Sequence, residues 1–192
     1  KKCKEFAEEL GISKVTAALL LHRGITEPSA ADVFLQPEKQ EFYDPFLFRD
    51  MDKAVKRIQQ AIAAKDKIVL YGDYDVDGIT TVVVLKHSLQ RLGAEVEYYI
   101  PDRQKEGYGF HTEALLRLAE AGTGLLISVD CGISSVSEVE TVKDRLDIII
   151  TDHHLPGEIL PAVLAVIDAH RLDCKYPDKN LSGVGVAFKL SQ

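Results

Sequence analysis

The chain has 192 residues, and its hydrophobic content of 46% is too high for a disordered protein. Its 30 acidic and 23 basic side chains give a formal net charge of −7, which excludes a domain that grips nucleic acid through its whole surface. Three widely spaced cysteines form no CxxC pair, so the sequence indicates neither a disulfide framework nor a zinc cage, and a reducing cytoplasm is expected.

Residues 1–65 are predicted to form an N-terminal helical extension. Ser13 can cap a helix that stops at Gly24, and Pro28, Pro37 and Pro45 interrupt the stretch that follows. The segment DMDKAVKRIQQAIAAKD has apolar residues at helical spacing and is predicted to be a further helix. The sequence shows neither a membrane-spanning run nor a signal peptide, so we expect a cytoplasmic protein without a membrane partner.

From Lys67 onward, short apolar runs alternate with amphipathic segments. The runs KIVLYG, EVEYYI, GLLISVD, DIIIT and AVLAVID are predicted to be strands. The predicted helices between them are ITTVVVLKHSLQRLG, TEALLRLAEAG and SSVSEVETVKDR. This alternation implies parallel strands joined by crossover helices. We therefore predict an α/β fold with a doubly wound parallel sheet over residues 66–192. Because the chain stops inside the helical pattern SGVGVAFKLSQ, we expect this domain to be truncated at its C-terminal end.

Acidic and imidazole side chains follow four of the five predicted strands. Ligands bind beyond the carboxyl ends of parallel strands, although any single Asp there is as often the N-cap of the next helix. Three carboxylates at alternate positions repel one another unless a cation compensates them, and carboxylates with imidazole suit Mn²⁺ or Mg²⁺. The residues are Asp73, Asp75 and Asp77 after the first strand, Asp130 after the third, Asp152, His153 and His154 after the fourth, and Asp168 and His170 after the fifth.

Other residues near these strand ends have less specific interpretations. Gly78 is expected to let the chain turn sharply into the next helix, whose N-terminus, with Thr80 and Thr81, would offer amide groups to a phosphate. Cys131 fits a small buried residue better than a metal ligand. His170 stays ambiguous, because it follows a strand end without belonging to the acidic cluster.

The ordered motifs GDYDVDG, VDCGI, TDHH and LSGVGVAFKL resemble the signatures of the DHH family of phosphoesterases, and of its RecJ branch in particular. The resemblance covers the chain from about residue 66 to its end, and the helical extension more weakly. It implies a 5′-to-3′ exonuclease that hydrolyses phosphodiester bonds of single-stranded DNA in repair and recombination. It also implies two Mn²⁺ or Mg²⁺ ions as cofactors, and it leaves open a single-strand-binding protein as a partner.

The resemblance further implies a set of metal ligands. Asp75 and Asp77 would each hold one of the two ions, and Asp130 would bridge them. His153 would complete the second site. Asp73 would support the first ion, for which the small-substrate members of the family bring in a histidine from another position of the motif.

The same resemblance implies two substrate contacts and two departures from the family pattern. His154 would face the scissile phosphate, and Arg103 would contact a substrate phosphate. Tyr71 stands where the small-substrate relatives have their histidine, so the ligands of the first ion depart from the pattern of those relatives. The family's last metal-ligating Asp and its second domain lie beyond LSGVGVAFKL, so the chain alone is expected to be a poor nuclease.

Three other interpretations stay open. The sequence from Asp75 to Gly78 also resembles the DxDG loop of haloacid-dehalogenase-type phosphatases, although that family lacks a DHH triplet and places its first Asp directly after the strand. A non-catalytic receiver-like or nucleotide-sensing module would leave the two histidines unexplained. Within the DHH family, the rival is an enzyme of small substrates such as pyrophosphate, short oligonucleotides or cyclic dinucleotides.

Overall fold

The structure is a computed structural model that describes residues 2–39 and 41–192. Its contacts divide the chain into two compact units, one ending at Phe42 and the other running from Tyr43 to Gln192. Within the described residues, no helix has both the length and the apolar character that crossing a membrane requires.

The first unit is helical, as the sequence predicts. Ser13 caps its second helix by accepting a hydrogen bond from the amide of Thr16 at 3.0 Å. Pro28 begins the third helix instead of interrupting the chain, because proline is well tolerated in the first turn, where its missing N–H would have no partner. The helices are α1 (Lys2–Leu10), α2 (Lys14–His22) and α3 (Pro28–Leu35), and they share a small core of Phe6, Ala7, Ala17, Leu20 and Ala31.

The second unit is an α/β domain that opens with a helix and then alternates strands with helices, until two strands follow each other directly near its end. All five predicted strands are present, within two or three residues of the predicted bounds. The elements are α4 (Met51–Ala64), β1 (Ile68–Gly72), α5 (Val76–Arg91), β2 (Val96–Tyr99), α6 (Thr112–Glu120), β3 (Leu125–Val129), α7 (Val136–Glu140), β4 (Asp147–Thr151), β5 (Ala165–Ile167) and α8 (Gly183–Ser191).

The five strands form one parallel sheet in the order β2-β1-β3-β4-β5. The prediction of a doubly wound parallel sheet is therefore confirmed. The chain first moves outward from β1 to β2, then crosses back past β1 to β3 and continues to β5. This reversal opens a crevice at the carboxyl ends of β1 and β3, where ligands bind in sheets of this kind.

Both faces of the sheet are covered, because successive side chains of a strand point to opposite faces. Leu125, Ile127 and Val129 pack in a core shared with α4, α5 and α8, whereas Leu126 packs in a second core under α6 and α7. Strands β1 and β3 are buried along their whole length. The residues that follow these strands therefore start from fixed positions.

Helix α4, which the sequence assigned to the extension, packs on the sheet. Its buried residues Met51, Ala54 and Ile58 belong to the same core as Ile68 and Leu70 of β1. The division into domains at residues 65 and 66 stays a prediction, and the contacts of the chain divide after Phe42.

Candidate metal centre

The structure brings the predicted ligands of three motifs to the carboxyl edge of the sheet. One group consists of Asp73, Asp75 and Asp130, and a second consists of Asp130, His153 and His154. In each group, ligand atoms of the three residues lie within 4.8 Å of one another. The two groups share Asp130, which is the arrangement expected of a carboxylate between two cations.

Asp77 lies on the side of the second group. Its Oδ2 atom is 3.6 Å from Nε2 of His153, and that nitrogen is 3.1 Å from Oδ1 of Asp130. Both carboxylate oxygens of Asp77 also accept backbone hydrogen bonds from the first turn of α8, from Gly183 at 2.7 Å and from Val184 at 2.8 Å. Asp75 and Asp77 therefore face different parts of the cluster.

Asp130 is the most constrained member of the cluster. Its side chain is almost wholly buried, and its backbone is left-handed at φ 62°, a conformation that Asp tolerates better than most residues. Burial, followed by the charges of Asp77 and Asp75, raises its pKa to about 8. A buried group held this way costs stability unless something compensates its charge.

The chemistry of this donor set fits divalent cations. Among the described residues, Oδ1 of Asp130 is buried without a hydrogen bond, so its close contact with His153 lacks hydrogen-bond geometry. Asp73 is also buried, and burial raises its pKa despite the hydrogen bond from the amide of Tyr74. Carboxylate oxygens with one imidazole are ligands that Mn²⁺ and Mg²⁺ accept.

The turn between β1 and α5 places Asp73, Asp75 and Asp77 around the helix start. The helix begins at Val76, and Asp75 is its N-cap, with a side chain that accepts from the amide of Gly78 at 2.9 Å. Gly78 thus lies in the first helical turn, which corrects the expectation of a sharp turn before the helix. A Cβ atom on Gly78 would be 2.5 Å from the carbonyl oxygen of Asp73, so glycine is required for close packing.

The two threonines of α5 do not direct their hydroxyl groups toward a ligand. Thr80 donates to the carbonyl oxygen of Val76 at 2.7 Å, and Thr81 donates to that of Asp77 at 2.6 Å. Both hydroxyl groups are therefore used within the helix. The expectation that this helix end offers amide groups to a phosphate stays a prediction.

His154 is oriented by Asp152, a residue without a predicted role of its own. Asp152 is fully buried and accepts hydrogen bonds from the amides of Ile133 and His153 and from Nδ1 of His154 at 2.7 Å. This hydrogen bond is the main reason that the pKa of His154 is raised to about 9. Nδ1 of His154 also lies 3.1 Å from the hydroxyl of Tyr108. At neutral pH the imidazole ring of His154 is therefore a cation, and its Nδ1 atom is held by Asp152.

Asp152 itself stays ionised although it is buried. Burial raises its pKa, but the hydrogen bonds from His154 and from backbone amides outweigh burial and bring the pKa below its ordinary value. The sequence signal for this role was its position as the first residue of the DHH triplet. The spacing of the motif does not show that the side chain of Asp152 contacts that of His154.

Arg103 lies beside the acidic loop without joining the cluster. Its side chain is exposed, and its guanidinium is 5.3 Å from the ring centroid of Tyr74. Tyr71, by contrast, is fully buried, and its hydroxyl donates to the carbonyl oxygen of Gly109 at 3.2 Å. Tyr71 is thus part of the core, as is Cys131, which is almost wholly buried.

Asp168 and His170 form a separate pair at the end of β5. The amide of His170 donates to the fully buried Asp168 at 2.6 Å, and burial is the main reason that the pKa of Asp168 is raised to about 6. Neither residue belongs to the two groups of close ligand atoms among the described residues. The hydrogen bond between the two residues spans the turn that leaves the strand.

Comparison with known proteins shows the family to which this chain is related. The model of the DHH family, N-terminal domain, matches residues 67–192. A single-stranded-DNA-specific exonuclease RecJ of Bacillus subtilis is 48% identical over 99% of this chain, which covers 24% of that protein. The chain therefore spans about a quarter of the length of this relative.

Two solved structures show the same fold. A crystal structure of exonuclease RecJ bound to manganese is 33% identical, with a TM-score of 0.69, over 75% of this chain and 37% of that one. RecJ of Thermus thermophilus in complex with Mn²⁺ is 29% identical, with a TM-score of 0.70, over 99% of this chain and 26% of that one. The resemblance read from the motifs is confirmed, and the chain belongs to the DHH family.

Proposed function

We propose that this chain is the N-terminal catalytic part of a metal-dependent 5′-to-3′ exonuclease that hydrolyses phosphodiester bonds of single-stranded DNA. The observation that carries the proposal is the position of Asp130, which lies close to Asp73 and Asp75 on one side and to His153, with Asp77 beside it, on the other. The similarity to RecJ exonucleases supports the choice of substrate. The polarity of degradation follows the resemblance of the motifs.

Two Mn²⁺ or Mg²⁺ ions are the proposed cofactors. Asp73 and Asp75 would hold the first ion, Asp77 and His153 the second, and Asp130 would contact both. Bound ions of this kind activate water as the nucleophile and neutralise charge on the phosphoryl oxygens. The manganese bound in the two similar RecJ structures supports this proposal.

His154 is proposed to bind the scissile phosphate as a cation. Its hydrogen bond to Asp152 orients the ring and favours its protonated form, which leaves Nε2 to donate to a phosphoryl oxygen. Arg103 is proposed to contact a phosphate farther along the strand, because it is exposed beside the acidic loop. Neither role requires a nucleophile from the protein.

The biological setting belongs to the same proposal. DNA repair and recombination in the cytoplasm, with a single-strand-binding protein as a partner, fit an exonuclease of single strands. The net charge of −7 indicates that contacts of this chain with DNA are local.

The test is a length-resolved gel assay of a chain of the relatives' full length with Mn²⁺. Single strands labelled at the 5′ or the 3′ end would show the direction of degradation, and Asp130→Asn is the inactive control. Stepwise loss from the 5′ end supports the proposal. Degradation from the 3′ end, or hydrolysis of pyrophosphate and cyclic dinucleotides in preference to single strands, would contradict it.

A further inference from the structure

The motif LSGVGVAFKL helps to identify the family, but it has no part in the chemistry proposed above. It comprises the N-cap and nearly all of α8, whose first turn contacts two of the proposed metal ligands. We infer that this turn, and Gly183 in particular, is a positioning element that fixes the carboxylates of Asp77 and Asp130 for metal binding. The inference rests on the proposed metal centre.

The first line of support is the way in which Asp77 is held. The amides of Gly183 and Val184 each donate to a different oxygen of its carboxylate, at 2.7 and 2.8 Å. Amides in the first turn of a helix have no partner within the helix, so Asp77 satisfies two of them. Each oxygen keeps a lone pair for a cation, because a carboxylate oxygen has two. The two hydrogen bonds thereby fix the orientation of the carboxylate and leave both of its oxygens able to bind a cation.

The second, independent line of support is the space beside Gly183. A Cβ atom there would lie 2.5 Å from Oδ1 of Asp130 and 2.8 Å from its Cβ atom, so any larger residue would displace Asp130. The φ angle of Gly183 is not positive. Its backbone therefore does not require glycine, and the close approach of Asp130 does.

The helix that carries this turn is firmly placed. Ser182 caps α8 through its hydroxyl, and Val186 and Ala187 are fully buried in the core that α8 shares with α5. The positive end of the helix dipole points toward two carboxylates whose charges repel each other. The turn thus offers partial compensation for that repulsion as well as fixed geometry.

The decisive comparison is between Gly183→Ala and Gly185→Ala in the 192-residue chain. Both positions lie in the first turn of α8, and neither has a positive φ, but a Cβ on Gly185 would meet only the side chain of Leu181 at 3.3 Å. Binding of Mn²⁺, measured by calorimetry or by the spin resonance of the free ion, should weaken about 10–100-fold in Gly183→Ala. Gly185→Ala should bind Mn²⁺ as the wild type does. Equal binding by wild type and Gly183→Ala would overturn the inference and leave the metal centre intact.

A readout without metal covers the case in which Gly183→Ala fails to fold. In the wild type, the amides of Gly183 and Val184 should be protected from hydrogen exchange, although first-turn amides of helices usually exchange fast. Asp77→Ala should release these two amides and leave those in the middle of α8 protected. Fast exchange in the wild type, or no change in Asp77→Ala, would overturn the inference. Protected amides in a wild type that binds no Mn²⁺ would instead contradict the proposed metal centre.

Discussion

Among the proposed metal ligands, Asp130 is the one whose pKa is raised most. It is buried, its backbone is left-handed, and its pKa is raised to about 8. Strain and unfavourable charge of this kind persist only where the surrounding structure imposes them, and they concentrate at functional sites. Asp130 is therefore expected to destabilise the metal-free fold, and a bound cation is expected to relieve that cost.

The variant Asp130→Asn tests whether the buried carboxylate destabilises the metal-free fold, through the pH dependence of the free energy of unfolding. A carboxyl group whose pKa is higher in the folded than in the unfolded chain contributes stability that is lost as the pH rises, here from 3.8 through about 8. The metal-free variant should be more stable than the wild type, and the difference should grow between about pH 5 and about pH 8. Each pKa unit is worth about 1.4 kcal/mol, so unfolding by denaturant in the presence of a chelator will resolve the effect. Asparagine also tolerates the left-handed backbone.

The contradicting outcome for Asp130→Asn is a stability difference that does not depend on pH. The variant should also lose the rise in melting temperature that Mn²⁺ gives the wild type. Retention of that rise would remove Asp130 from the proposed set of ligands.

Variants of the two adjacent histidines should differ, one in Mn²⁺ affinity and the other in turnover. His153→Ala should weaken Mn²⁺ binding, because its Nε2 atom lies among the carboxylates of Asp77 and Asp130. His154→Ala should keep most of the Mn²⁺ affinity and lose turnover about 10²–10³-fold, the usual cost of removing a donor to a developing charge. Calorimetry and single-turnover rates of the full-length chain measure the two quantities. Equal loss of Mn²⁺ affinity in both variants would contradict the division.

Among the elements, α5 shows how one residue can serve both the helix and the site. Asp75 caps the helix through the amide of Gly78 and also belongs to the first ligand group. Asp75→Asn should keep the cap and lose Mn²⁺ affinity, since asparagine caps helices as well as aspartate does. Asp75→Ala should lose the cap as well, at a further cost of about 1 kcal/mol in the free energy of unfolding. Chemical denaturation and calorimetry separate the two effects, and equal stability of the two variants would rule out the cap.

The sequence was sufficient for the elements whose signal is local. Apolar runs located all five strands, and the residues that follow them located most of the candidate cluster. The prediction over SSVSEVETVKDR was too long, since α7 ends at Glu140. The hydroxyl of Thr141 there donates back to the carbonyl oxygen of Glu138, a local bond that competes with continued helix.

The parts that the sequence did not reveal depend on contacts between distant residues. Gly183 lies 106 residues after Asp77, so neither periodicity nor motif spacing shows that the start of α8 meets the acidic loop. The role of Asp152 toward His154 depends on a side chain turning back on its own strand end. Such contacts are set by the packing of whole elements.

For the whole molecule, all of the proposed metal ligands lie in the unit that begins at Tyr43. Residues 43–192 alone should therefore fold and keep the stabilisation by Mn²⁺, about 2.7 kcal/mol at an ion concentration of 100 times Kd. In a domain of this size, each kcal/mol of stabilisation raises the melting temperature by roughly 2–4 °C. Thermal melts of the shortened and the 192-residue chain, with and without Mn²⁺, make the comparison. An effect of Mn²⁺ only in the longer chain would contradict it.

The charge of the molecule leads to a prediction about rate. With a net charge of −7, the 192-residue chain repels a polyanion over most of its surface. We expect it to degrade single strands far more slowly than a protein of its relatives' full length, and we expect added salt to narrow the difference. Gel assays at low and moderate salt test both points. Robust cutting by the 192-residue chain would show that its residues suffice.

The hydrogen bonds from α8 to Asp77 also affect how the protein is made. Asp77 finds its two amide donors 106 and 107 residues later in the chain. During synthesis from the N-terminus, the acidic loop thus leaves the ribosome long before the segment that orients it. The nascent sheet can form before α8 orients these carboxylates, and we expect full affinity for cations only after α8 has docked. We therefore expect tight metal binding to follow the docking of α8, and not the earlier synthesis of the acidic loop.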